Sequence, residues 1–98
     1  MSVTAILDLH FKPEAVEQAL EILTRALADT RAFDGCEGVT VVQDRDDPAH
    51  VVAVEQWASL EADARYREWR AGDGAITDLP PTLAGAPSLF VGTDIAAL

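Results

Sequence analysis

This chain is short of positive charge, of cysteine and of long apolar runs, and each shortage removes a class of function. Seven lysines and arginines stand against 17 aspartates and glutamates, a formal net charge of −10. Nucleic-acid binding needs basic side chains to displace counterions from phosphates, so no nucleic-acid partner is expected. The same balance argues against anionic membrane surfaces. The single cysteine, Cys36, excludes an intrachain disulfide and a multi-cysteine metal site, and a reducing, cytoplasmic setting fits. No apolar run reaches the roughly 18 residues of a spanning helix, and the start of the chain has no basic stretch of the signal-peptide kind. Serines are few and none sits in a nucleophile-elbow sequence. The histidines, His10 and His50, offer no HxH or HxxxH spacing, so a structural or surface role is expected of them and no metal ligand set. Asp44, Asp46 and Asp47 lack the mid-loop glycine and terminal glutamate of a calcium loop. Cys36 has no cationic neighbour in sequence and reads as an inert thiol.

What is present is the patterning of one 98-residue globular domain, residues 1–98. Val3 to Phe11 alternates as a strand, with Val3, Ala5, Leu7, Leu9 and Phe11 on one face and Thr4, Ile6, Asp8 and His10 on the other. Pro13 opens a helix that runs to Phe33, with Val16, Leu20, Leu23 and Leu27 at helical spacing, and Asp34-Gly35 stops it. Val39 to Asp44 is a second strand, Asp44 to Ala49 a polar turn, and His50 to Trp57 a third strand in which neither register is wholly polar, so that both faces are expected to be at least partly buried. Ser59 caps a helix over Leu60 to Arg70. Pro80-Pro81, Gly85 and Pro87 keep residues 75–87 irregular, and Ser88 to Thr93 is the last strand.

This βαββαβ order predicts a ferredoxin-like α+β fold: a four-stranded antiparallel sheet with two helices on one face. The other face keeps Ile6, Val52 and Val54, so a homodimer through the sheet face is expected. A pocket is expected between sheet and helices, with residues 75–87 as a wall or lid. Trp57 is read as either a core residue or a wall of that pocket. Glu55, two residues earlier on the same face, is a carboxylate among apolar neighbours. It reads as a base, as the partner of a helix arginine such as Arg25, or as a strand-end carboxylate near solvent. Tyr66 and Trp69 share one face of the second helix.

Several pieces resemble the antibiotic biosynthesis monooxygenase family of dimeric α+β barrels. They are a first strand ending in Phe11-Lys12-Pro13, a long helix ending in Thr30-Arg31-Ala32-Phe33-Asp34-Gly35-Cys36, the turn Asp46-Asp47-Pro48, and Val54-Glu55-Gln56-Trp57 leading into the second helix. The resemblance covers nearly the whole chain. It implies a dimeric barrel with a pocket beside Trp57, and oxidation of quinols, anthrones or polyphenols by O2 with no metal or cofactor. Haem-degrading members carry an Asn at the position of Leu7 and a His near Tyr66 or Arg67; the anthrone-oxidising subgroup has an Asn at Ala53 and a Tyr at Asp63. Those departures imply that haem degradation is not the activity and that the anthrone mechanism does not transfer whole. Only Trp57 matches the family directly; position and chemistry add Glu55 and Tyr66 to it as the expected catalytic residues, with Glu55 or Tyr66 as proton acceptor. Leu7, Arg25, Ala53, Arg67 and Trp69 bind the aromatic ligand, with Arg25 or Arg67 steadying an oxyanion. Two other readings stand beside it: a non-catalytic small-molecule binding protein, and an isomerase or cyclase that moves protons without O2.

Overall fold

The computed structural model describes residues 2–98 and has the expected element order. Strand β1 (Val3–His10) leads through a 3-10 turn at Pro13–Ala15 into helix α1 (Val16–Ala32). Strands β2 (Cys36–Gln43) and β3 (His50–Trp57) form a hairpin, helix α2 (Leu60–Ala71) follows, and β4 (Ser88–Thr93) closes the sheet. All pairings are antiparallel, in the order β2-β3-β1-β4. This is the ferredoxin-like α+β arrangement, in which the two central strands are those that each precede a helix.

Three boundaries differ from the expectation. The first turn after Pro13 is 3-10 and not α-helical. Phe11 leaves the sheet ladder and bridges Leu83 instead. β2 starts at Cys36, three residues early, because a bulge at Cys36/Gly38 lets the chain pair with Trp57 directly after the turn.

The register fixes the two faces. Val3 lies opposite Trp57, Ala5 opposite Glu55, Leu7 opposite Ala53 and Leu9 opposite Val51. These face the helices, and all but Leu7 are buried. Leu9, Phe11 and Val51 pack with Ala19, Leu23 and Leu27 of α1, while Val3, Ala5 and Trp57 pack with Ala62 and Tyr66 of α2. Gly35 makes the second packing possible. Its φ of +92° suits only glycine, and a Cβ there would stand 2.5 Å from the Ala62 Cβ. Ser59 accepts from the Ala62 amide and caps α2, as its sequence position suggests.

The opposite face carries no helix. Ile6, Val52 and Val54 are half-buried there, and Val42 and Phe90 are exposed. Among the described residues, no helix is long and apolar enough to cross a membrane.

Candidate active site

The period-two backbone of β3 delivers Glu55 and Trp57 to the same face. Glu55 is 1% exposed. A carboxylate so placed must be matched by donors and a counter-charge, and both are present. The Trp57 indole Nε1 donates to Glu55 Oε1 at 3.0 Å, and the Arg67 guanidinium donates to the same oxygen at 2.6 Å. Arg67 also reaches Asp63, one helical turn earlier, at 3.1 Å. The cation is Arg67 and not Arg25, which the sequence reading offered. Arg25 lies on the outer side of α1 and pairs with Asp78, so it is remote from Glu55 in contact terms and joins no group around it.

Tyr66 and Trp69 sit with Phe33 and Trp57 in one aromatic cluster, with centroids 4.8 Å apart for Trp57–Tyr66 and 5.2 Å for Phe33–Tyr66. Trp57 has no exposed surface, so of its two readings the core one describes this chain. The Tyr66 hydroxyl is also enclosed. It lies 2.7 Å from Thr30 Oγ1 and accepts from Arg70 Nε at 2.7 Å. Arg70 donates further to Thr30 Oγ1, the Ala26 carbonyl and the Gly74 carbonyl. This network ties α1, α2 and the segment after α2 together, and it leaves Tyr66 poorly placed to take a proton from a ligand. Sequence reading missed Thr30, Asp63 and Arg70. The signal was there for Thr30: a hydroxyl four residues beyond Ala26, on the buried stripe of α1, needs a polar partner.

Residues 73–78 line a cavity against α1 and the end of α2, and not between sheet and helices where the pocket is expected from the sequence. This cavity of about 260 Å³ lies among Arg25, Trp69, Arg70, Ile76 and Asp78. Further on, Lys12 N–H donates to the Thr82 carbonyl and Ala84 N–H to the His10 carbonyl, with Thr82 buried. Those bonds pin residues 82–84 to the end of β1, so the lid expected from sequence is tied down over that part.

The helix face is incompletely covered at both sheet edges, at Val41 of β2, beside Leu20 and Leu27 of α1, and at β4. α1 lies over β2 and the Leu9–Val51 end of β1 and β3, and α2 over their Val3–Trp57 end. Of the helix-facing side chains of β4, Leu89 is 45% exposed, while Val91 is half-buried against the Val3–Ala5–Tyr66 cluster. Leu7 lies between Leu89 and Ala53 in register, and Ala5 between Val91 and Glu55. Leu7, Leu89 and Val91 thus form an apolar shelf beside the Glu55–Arg67 pair. Arg67 keeps a quarter of its side chain exposed and stands 4.9 Å over the Tyr66 ring.

The profile of the antibiotic biosynthesis monooxygenase family matches residues 2–75. No curated protein matches the sequence. Among solved structures, a conserved protein from Methanosarcina mazei superposes with a TM-score of 0.84 at 15% identity, over 94% of this chain and 91% of that one. Rv0793 from Mycobacterium tuberculosis gives 0.80 at 20% identity, over 97% and 96%. A variant of SnoaB, a cofactor-independent oxygenase from Streptomyces nogalater, gives 0.81 at 18% identity, over 95% and 92%. At these identities the likeness is one of fold.

Proposed function

This chain belongs to the antibiotic biosynthesis monooxygenase family, and from that premise we propose that it oxidises a small, planar, electron-rich aromatic with O2, the substrate itself supplying the electrons. The observation that supports this reading is the Arg67 guanidinium, fixed by Glu55 and Asp63 and exposed at the edge of an apolar shelf. A quinol, anthrone or polyphenol reduces O2 far more readily once deprotonated. A rigid cation at the rim of a low-dielectric surface favours that anion and holds it in place. For an anthrone the balance closes without a further reductant: the carbon loses two hydrogens, one oxygen atom becomes the new carbonyl, and the other leaves with those hydrogens as water.

In this reading Arg67 is the oxyanion-binding group, and Leu7, Leu89 and Val91 bear the ring, while Ala53, 1% exposed, lies beneath them. Glu55 positions Arg67, whose guanidinium donates to Glu55 Oε1 at 2.6 Å. Trp57 donates to Glu55 and Tyr66 backs the site; neither touches the ligand. We further propose that two copies pair through the open sheet face, where Ile6, Val42, Val52, Val54 and Phe90 form an apolar surface of the kind monomers seldom leave bare.

The test is O2 consumption by purified protein with a panel of reduced quinols, anthrones and catechols, beside Arg67→Lys. Lysine keeps the charge that Glu55 needs but loses the planar fork. Uptake above the spontaneous rate, lowered about tenfold or more in Arg67→Lys, supports the proposal. Ligand binding without uptake would instead favour a binding protein on the same scaffold, a reading supported by the internal hydrogen bonds that already occupy Glu55 and Tyr66.

A further inference from the structure

The open sheet face carries a second cluster that the oxygenase reading does not use. His10 and His50 are direct cross-strand partners, and Asp8 lies two residues before His10 on the same face of β1. His50 Nε2 is 2.9 Å from Asp8 Oδ1, and His10 Nε2 is 3.2 Å from the same oxygen. One ligand atom from each residue falls within 4.8 Å of the other two. Behind them, Asp44 Oδ2 lies 2.9 Å from His50 Nδ1, while its Oδ1 accepts from the Asp46 amide at 2.8 Å and is thereby fixed in the turn.

We propose that Asp8, His10 and His50 form a binding site for a divalent zinc-class transition metal, with Asp44 as the positioning residue behind His50. Around a tetrahedral zinc with bonds of about 2.0–2.1 Å, ligand atoms stand about 3.3 Å apart, close to the two separations seen here. The donor set of two imidazole nitrogens and one carboxylate oxygen suits zinc and its neighbours better than calcium or magnesium, which take oxygen alone. Asp44 supplies the arrangement that metal-binding histidines usually have. A carboxylate on Nδ1 orients the ring and turns Nε2 toward Asp8 Oδ1, and a bound metal would take the place of the proton that those two atoms share in the metal-free protein. The imidazole rings stack at 4.2 Å, only 7° from parallel. Convergence of both Nε2 lone pairs on one ion therefore requires a ring to turn, for which His10, 57% exposed in the single chain and last in β1 at the end of the sheet face proposed to pair, is the better placed of the two. Three protein ligands leave the fourth position to water.

The sequence pattern gave no warning because metal spacing is sought along one strand or helix. Here two ligands come from Asp-x-His on β1 and the third from β3, 40 residues later in the chain but directly opposite in register.

The test is calorimetric titration of ZnCl2 into chelator-treated protein near neutral pH, with His10→Ala, His50→Ala and Asp44→Asn. Circular dichroism checks the fold, and His10→Ala, at an exposed side chain, is the variant safest from misfolding. One zinc per chain is expected. Loss of measurable binding is expected in the two histidine variants, and about 10- to 100-fold weaker binding in Asp44→Asn. Absence of binding in the unsubstituted protein, or binding retained at full strength in any of the three variants, overturns the assignment.

Discussion

Replacing Arg67 by methionine removes the counter-charge of a carboxylate that is 1% exposed. Methionine fills much of the same volume, so the perturbation is chiefly electrostatic. Glu55 then keeps one donor, the Trp57 indole at 3.0 Å, and no cation. Asp63 also loses its arginine, but it sits in the first turn of α2, where the helix dipole supports a negative charge. Breaking a buried ion pair by removing one partner costs about 3–5 kcal/mol. A quarter of the Arg67 side chain is in water, which places the cost near the lower end, about 3 kcal/mol. With an unfolding entropy of about 2 cal/mol/K per residue, a 98-residue chain should lose about 15 °C in Tm. Urea and thermal unfolding, followed by tryptophan fluorescence and circular dichroism, measure both quantities. Adding Glu55→Gln to Arg67→Met keeps an acceptor for the indole while removing the orphaned charge, so the double variant should recover to within about 1 kcal/mol of the original. A loss below about 1 kcal/mol in Arg67→Met, or no recovery in the double variant, would refute the account of Arg67 as the group that makes a buried Glu55 tolerable.

Three further outcomes are expected. Gly35→Ala should cost at least about 2 kcal/mol in urea unfolding, because the new methyl meets the Ala62 Cβ and the backbone is left-handed there. Phe90→Glu should leave the far-ultraviolet spectrum unchanged, since Phe90 is 63% exposed, yet shift the sedimentation coefficient from dimer to monomer. In chelator-treated protein, hydrogen bonding to Asp44, and then to Asp8, raises the pKa of His50 above that of an ordinary histidine. The sign follows from linkage: a pKa raised by folding stabilises fully below the unfolded value of about 6.5 and is lost as pH rises through the folded one. His50→Gln should therefore lower Tm more at about pH 6 than at about pH 9, with Asp8, His10 and Asp44 as the facing groups. An equal Tm loss at both values would count against this.

The order of elements, the two strand faces and the position of the helices were legible in the sequence, because they follow from local periodicity. Val3 to Leu9 alternates at period two, and α1 repeats its apolar stripe at helical spacing from Val16 to Leu27. The cap at Ser59 and the stop at Gly35 are equally local. Glu55 also declared itself, since a carboxylate in an apolar strand needs an explanation wherever the chain folds. Its partner did not. Arg25 and Arg67 both lie on helices, and only the docking of α2 over β3 brings Arg67 to Glu55 while Arg25 turns outward to Asp78. The same holds for Thr30, Tyr66 and Arg70, which meet only because α1 and α2 pack side by side. It holds again for Asp8, His10 and His50, which depend on the β1–β3 register. Periodicity along the chain determined which face each side chain takes. Which side chains meet was decided by the long-range pairing of strands and helices, because no local signal encodes contacts between residues tens of positions apart.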